Sequence, residues 1–137
     1  MTEIVTADDP SLARKTISIW LSEATLESGY QYAPSDITLA VVDEGGQMIG
    51  GLTGTINWKW LYIETLAVDP GQRGHGHARD LVSKAEDMAR EQGCHGCWVD
   101  TFTFQVPEFY KRLGYESFGE LPGYPDEQSR VFLRKIL

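Results

Sequence analysis

The chain has 137 residues, a length that suits one domain, residues 1–137, built around a single hydrophobic core. Its 12 Lys and Arg against 20 Asp and Glu give a formal net charge of −8, which disfavours a nucleic-acid partner because the phosphates would be repelled. No apolar run reaches the roughly 20 residues that span a bilayer. We therefore expect a soluble cytoplasmic protein with no membrane or nucleic-acid partner, whose acidic surface favours a cationic substrate.

The N-terminal half predicts one helix followed by three strands. Asp9 and Pro10 form a helix start, and apolar residues then recur with helical spacing. An aperiodic loop leads to two strands that a glycine turn connects as an antiparallel hairpin. The last strand of this half is almost continuously apolar, which predicts a central strand covered on both faces. The loop and the three strands are predicted over Glu27–Ser35, Ile37–Asp43, Gln47–Trp58 and Trp60–Val68.

The C-terminal half predicts a long amphipathic helix, a strand, a short helix and two closing strands. These elements are predicted over Ala78–Gln92, Cys97–Phe104, Pro107–Arg112, Tyr115–Leu121 and Ser129–Leu137. A strand, a helix and a second strand in succession favour a right-handed βαβ unit in the middle of the chain. The fold class is therefore α/β, with a mixed sheet and helices on its faces.

Cys94 and Cys97 form a Cys-x-x-Cys motif, which elsewhere is a redox pair or half of a zinc site. A zinc site needs two further ligands at suitable spacing, and the sequence offers none. The two cysteines lie where the long helix is predicted to meet the next strand. We therefore expect small, buried apolar side chains and no metal.

A turn with two glycines joins the predicted central strand to the long helix. Its sequence is Arg73-Gly74-His75-Gly76-His77-Ala78. Glycines let the backbone approach a ligand closely, and the unpaired N–H groups of a first helical turn attract a pyrophosphate, although such turns also use glycine for geometry alone. A dinucleotide-binding fingerprint is excluded because Arg79 stands where its third glycine is required. A P-loop is excluded because it requires Gly-Lys-Ser/Thr, which this turn lacks.

Two segments resemble the signatures of the GNAT superfamily of N-acetyltransferases. Residues 66–70 followed by 73–78 are similar to the coenzyme A signature R/Q-x-x-G-x-G/A, and residues 109–115 resemble the family's aromatic-Tyr-x-x-x-Gly-aromatic run. Both stand in the family's order and spacing, so that the resemblance covers nearly the whole chain. It implies the GNAT fold, with a mostly antiparallel sheet and helices on both faces. It also implies acetyl-CoA as cosubstrate, and acetyl transfer to a primary amine of a small molecule or peptide by direct attack in a ternary complex.

The resemblance also implies which residues form the site. Tyr110 matches the family's proton donor to the leaving sulfur, although its spacing alone favours a packed side chain on the apolar face of a short helix, beside Phe109. His75 and His77 are expected to contribute backbone N–H groups rather than to bind metal. Thr103 stands where many members carry an Asn that contacts the cofactor. The expected cofactor-binding residues are Leu66, Ala67, Val68, Arg73, Gly74, His75, Gly76, His77, Ala78 and Thr103.

A base is also needed, because a lysine-like amine has a pKa of about 10.4 and is protonated at neutral pH. Glu64 interrupts an apolar strand just before the predicted cofactor site, where burial would make its carboxylate more basic. A solvent-facing or Arg-paired carboxylate is the alternative interpretation, and Asp100 is the reserve candidate. A different class of function is an inactive acyl-CoA-binding sensor or scaffold. The terminal strands are a candidate homodimer contact.

Overall fold

The computed structural model describes all residues 1–137 and contains, besides one short 3-10 helix at Pro70–Gln72, three α-helices and six strands. In chain order they are α1 (Pro10–Glu27), β1 (Ser35–Val42), β2 (Met48–Asn57), β3 (Trp60–Val68), α2 (His77–Glu91), β4 (Gly96–Phe102), α3 (Pro107–Arg112), β5 (Glu116–Pro122) and β6 (Ser129–Ile136). Every predicted element is present, with ends that differ by at most two residues. No helix has both the length and the apolar character needed to cross a membrane.

Two units divide the chain, residues 1–33 and residues 34–137. The first contains α1, whose start is confirmed: the Asp9 side chain accepts a hydrogen bond from the Leu12 N–H at 3.1 Å, and Pro10 lies in the first turn. After the helix, Gly29 adopts a φ of +89°, a left-handed conformation in which glycine carries no steric penalty. That the whole chain is one domain stays a prediction.

The second unit contains a six-stranded sheet in the order β1-β2-β3-β4-β6-β5. All neighbouring strands are antiparallel except β3 and β4, which are parallel and joined through α2. The mixed, mostly antiparallel sheet with a central βαβ unit is therefore as predicted. Since a parallel pair requires a crossover, α2 is held across the sheet directly after β3 ends.

The core lies between α2 and one face of the sheet. From α2 it receives Leu81, Val82, Ala85 and Ala89, and from the strands chiefly Leu52, Leu61, Ile63, Cys97, Val99 and Leu133. The prediction that β3 is covered on both faces is wrong, because its side chains alternate between buried and half-buried up to Ile63 and several are exposed beyond it. Its apolar character has a different cause: Trp60 and Tyr62 occupy the second face, where Tyr62 stacks on Trp98 with ring centroids 4.0 Å apart.

Cys94 and Cys97 lie where α2 gives way to β4, as predicted, and both thiols are free. Cys94 is 8% exposed and Cys97 is fully buried. Burial raises the pKa of Cys97 to about 12, so that this thiol stays protonated at neutral pH. The pair contributes to the apolar core, as the sequence predicted.

Candidate active site

The parallel strands β3 and β4 separate halfway along their length. They are paired from Trp60–Gly96 to Ile63–Val99, after which β3 continues beside β2 and β4 continues beside β6. We call the end of this pairing the fork. Beyond it, the edge of residues 64–68 that faces away from β2 has no strand partner, so its backbone can hydrogen-bond to an extended ligand. Leu66, Ala67 and Val68, three of the predicted cofactor-binding residues, lie on this edge.

Glu64 is the first residue of β3 beyond the fork and the extra residue of a β-bulge. The register passes from Gly54–Ile63 to Thr53–Thr65, which leaves Glu64 without a partner on β2. Its side chain is exposed and accepts a hydrogen bond from the Thr55 hydroxyl. The burial expected for Glu64 is therefore absent, because the bulge turns its side chain toward solvent. The carboxylate nevertheless lies at the mouth of the fork.

Asp100 is the first residue of β4 beyond the fork, and both of its oxygens are engaged. Oδ1 accepts hydrogen bonds from Arg130, with Nε at 3.0 Å and Nη2 at 2.9 Å, and Oδ2 accepts one from the Tyr62 hydroxyl at 2.7 Å. The Asp100 side chain is only 11% exposed. Burial and the bond to Asp100 raise the pKa of Tyr62 to about 12, so this hydroxyl remains a donor. Asp100 is thus enclosed in an ion-pair cluster.

Tyr110 lies on α3 with its ring buried and its hydroxyl unpartnered. The residue is 4% exposed, and its ring meets those of Phe109 and Tyr115 edge-on, with centroids 5.0 and 5.6 Å away. Its hydroxyl makes no hydrogen bond within the chain, yet no fully enclosed polar side-chain atom of the chain lacks a partner. The phenol oxygen must therefore reach the surface. Burial, and next the charge of Asp100, raise the pKa of Tyr110 to about 12, which keeps the phenol protonated.

The turn over residues 73–78, which we call the phosphate turn, presents unpaired backbone N–H groups. Gly74 and Gly76 have φ values of +84° and +82°, and Gly76 precedes α2 with no side chain capping the helix. The first helical N–H with a backbone partner belongs to Asp80, which donates to the Gly76 carbonyl at 3.0 Å. The preceding amides, on His77, Ala78 and Arg79, have no backbone partner, which leaves them available to an anion.

The side chains of the phosphate turn do not converge on a common point. Arg73 is exposed with an extended backbone, and the rings of His75 and His77 are 5.9 Å apart and tilted. No group of three or more His, Cys, Asp or Glu side chains in the chain is arranged to hold a metal ion. The available ligands of the turn are thus its backbone N–H groups, and contacts by its side chains stay a prediction.

Thr103 follows β4 and is already hydrogen-bonded. Its hydroxyl donates to the Gln128 side chain at 2.6 Å and accepts from the Ser129 N–H at 2.9 Å. These bonds fasten the end of β4 to the beginning of β6. Its predicted contact with the cofactor stays a prediction, and it would have to be made beside these bonds.

Sequence reasoning missed three residues that surround the two carboxylates: Thr55, Tyr62 and Arg130. Thr55 lies on β2, across the hairpin from Glu64, whereas Tyr62 on β3 and Arg130 on β6 are 38 and 30 residues from Asp100. Only the register of the sheet brings these residues next to the carboxylates, and no local sequence motif indicates that register.

The comparisons with known proteins agree with this geometry. The profile described as the acetyltransferase (GNAT) family matches residues 7–115, and the chain belongs to this family. The Streptomyces morookaense blasticidin-S acetyltransferase is 46% identical over 83 residues, 60% of this chain and 61% of the relative. An acetyltransferase of Agrobacterium fabrum is 33% identical over 100 residues, 73% of each chain. The crystal structure of a Bacillus cereus acetyltransferase, 31% identical, superposes with a TM-score of 0.86 over 98% of both chains.

These findings confirm the GNAT fold predicted from the two signatures. The match spans slightly less than two thirds of the length of the blasticidin-S enzyme.

Proposed function

We propose that this chain transfers the acetyl group of acetyl-CoA to a primary amine, by direct attack while both substrates are bound. The fork carries the proposal. Its strand β3 has an unpaired edge and leads into α2 with its bare N-terminus, and its strand β4 leads into α3, where the charge of Asp100 helps to raise the pKa of Tyr110. Glu64 lies at the mouth of the same opening. Each of these features supports one requirement of acyl transfer.

Two backbone segments would bind acetyl-CoA. Amides of the phosphate turn would hold its diphosphate, and the edge of residues 66–68 would pair with its pantetheine arm like an added strand. When bound there, acetyl-CoA supplies the thioester that is the acyl donor. A backbone N–H on this edge would stabilise the negative charge that develops on the acyl oxygen. The phosphate turn and the strand edge need no rearrangement of the strands for this role, because their polar groups already lack partners.

Glu64 is the proposed base. Its carboxylate is exposed and receives its one hydrogen bond from a hydroxyl, so it retains lone pairs for a substrate ammonium or for a bridging water. It would take the proton that the amine must lose before it can attack. Asp100 is less suited to this task, because accepting a proton would disrupt its pairing with Arg130.

Tyr110 is the proposed proton donor to the leaving sulfur. A donor must carry its proton at neutral pH, and the raised pKa of Tyr110 ensures that it does. It must also have its hydroxyl free for the ligand, and this hydroxyl has no partner within the chain. The burial of its ring holds the hydroxyl in one place.

We propose a cationic small molecule as the acceptor. Two relatives are named for antibiotics, blasticidin-S acetyltransferase and streptothricin acetyltransferase. The net charge of −8 supports the approach of a cation. Two further predictions from the sequence, a cytoplasmic location and a homodimer, belong to this proposal, and light scattering would test the second. An inactive acyl-CoA sensor is the second candidate, and the presence of both Glu64 and Tyr110 argues against it.

The test combines binding and turnover. Acetyl-CoA is titrated calorimetrically, and thiol release is then followed with blasticidin S, streptothricin, a polyamine and a lysine peptide. We expect saturable binding and release with at least one cationic small molecule. Binding without turnover on any acceptor would favour the sensor, and absence of acetyl-CoA binding would overturn the proposal.

A matched pair of variants locates the binding site. Gly74 and Gly46 have nearly equal φ values, +84° and +80°, and neither position has an atom within 4 Å of an added Cβ. Gly74→Ala and Gly46→Ala should therefore each introduce about 1–2 kcal/mol of left-handed strain. Relief of this strain displaces the phosphate turn only in Gly74→Ala, so we expect about tenfold weaker acetyl-CoA binding there. Equal affinities would place the diphosphate elsewhere.

A further inference from the structure

Glu86 is a buried carboxylate that the proposed reaction does not use. It lies on α2 and is 5% exposed. Oε2 accepts a hydrogen bond from the Tyr115 hydroxyl at 2.8 Å, and Oε1 accepts one from Lys135 Nζ at 3.0 Å. A buried charge is costly unless it is paired and hydrogen-bonded, and here both conditions are met.

These two bonds distinguish Glu86 from every other residue of α2. The other side-chain hydrogen bonds of α2, from Arg79 to Asp80 and from Arg90 to Asp87, stay within the helix. Glu86 is thus the only residue of α2 whose side chain hydrogen-bonds to another element. The rest of the helix is held on the sheet by apolar packing, which is less directional than a hydrogen bond.

Tyr115 connects this carboxylate to Tyr110. The Tyr115 N–H donates to the Tyr110 carbonyl at 3.0 Å, and the two rings meet edge-on with centroids 5.6 Å apart. Both rings are buried, at 3% and 4% exposure. Because the Tyr110 hydroxyl has no partner of its own, packing against neighbours such as Tyr115 determines where it points.

We propose that Glu86 is a positioning residue: through Tyr115 it fixes Tyr110 relative to the helix that begins at the phosphate turn. The inference rests on the proposed role of Tyr110 as proton donor. The acyl donor would be gripped at the N-terminus of α2, whereas the proton donor lies on α3. The Glu86–Tyr115 bond is the only hydrogen bond between α2 and residues 107–116. Proton transfer requires a separation of about 3 Å, so a shift between these elements lowers the rate.

A double-mutant cycle tests this inference. Tyr115→Phe removes the hydroxyl and keeps the ring that packs on Tyr110, so we expect kcat to fall by between about tenfold and a hundredfold. The affinity for acetyl-CoA should stay the same, since the phosphate turn is untouched. In a Tyr110→Phe background, Tyr115→Phe should not lower kcat any further, because the proton donor whose position it disturbs is already absent. A merely structural role would lower kcat equally in both backgrounds.

Two variants of α2 complete the experiment. Glu86→Gln keeps an acceptor oxygen but loses the charge pair, and it enters the same cycle should Tyr115→Phe fail to fold. The control is Glu91→Gln, an exposed carboxylate on the same helix, which should leave kcat unchanged. Tm and acetyl-CoA affinity establish that each variant is folded.

The outcomes separate the inference from the proposed function. A fall in kcat that is equal in both backgrounds, or an unchanged kcat in Tyr115→Phe, would overturn the positioning role alone. An unchanged kcat in Tyr110→Phe by itself would overturn the donor assignment, and the positioning role with it.

Discussion

The two sides of the fork each begin with a carboxylate, but they hold it in opposite ways. On the β3 side, a bulge turns Glu64 into solvent, with the Thr55 hydroxyl as its hydrogen-bond donor. On the β4 side, Asp100 is enclosed and bound by Tyr62 and Arg130. A carboxylate with unused lone pairs can take a proton, whereas one held by a guanidinium loses its pairing when it does so. The comparison therefore supports Glu64 as the proposed base and a structural task for Asp100.

Tyr110 extends the comparison, because it lies on α3, directly after β4, and is the proposed proton donor to the leaving sulfur. Tyr110→Phe should lower kcat by about a hundredfold, the lower end of the range for general acids, with unchanged affinity for acetyl-CoA. The ring still packs, and the hydroxyl that is lost had no partner within the chain. Steady-state kinetics and calorimetric titration measure both quantities. A Tyr110→Phe variant as fast as the wild type would show that Tyr110 is not the proton donor to the leaving sulfur.

The pH dependence follows from the direction of the Tyr110 pKa. Since this pKa is raised to about 12, the protonated form persists at higher pH than for an ordinary tyrosine. The wild-type rate should therefore show no decline from loss of this proton below about pH 11.

Glu64→Gln should have the next largest effect. We expect a loss of about tenfold to a hundredfold at pH 7, because the amine then keeps its proton. The loss should shrink toward pH 10, where a lysine-like amine is increasingly free base. Stability should change by less than about 0.5 kcal/mol, since the side chain is exposed. A constant ratio of wild-type to variant rates at every pH would remove Glu64 from proton transfer.

The same comparison indicates how far the sequence could lead. Helix starts, glycine turns and apolar periodicity are local signals, and they located every element and the phosphate turn. The bulge at Glu64 depends instead on how β2 and β3 register, and the sequence suggested a buried carboxylate where the structure has an exposed one. The partners of Asp100 and Glu86 come from residues about 30 or more positions away, which only the assembled sheet brings near.

Tyr110 lies between these two cases. The short helix that carries it was predicted with its full bounds, since Pro107 opens it and Gly114 follows it. Spacing alone favoured a packed tyrosine, and only the resemblance to the family's signature indicated a proton donor. The structure shows a buried ring and a hydroxyl that makes no hydrogen bond within the chain, so the packing of the ring is compatible with the proposed donor role.

Asp100→Asn has the smallest expected effect on rate and is the most direct test of the comparison. An Asn keeps one acceptor oxygen but cannot pair with the Arg130 charge, so we expect Tm to fall by roughly 5 °C and kcat to change by less than about threefold. Asp87→Asn, which breaks an ion pair with a more exposed aspartate, is the matched control and should leave Tm nearly unchanged. If Asp100→Asn instead lost its rate at pH 7 and regained it toward pH 10, while Glu64→Gln did not, the two carboxylates would exchange roles. The bulge would then serve to clear Glu64 from the path of the amine rather than to present it.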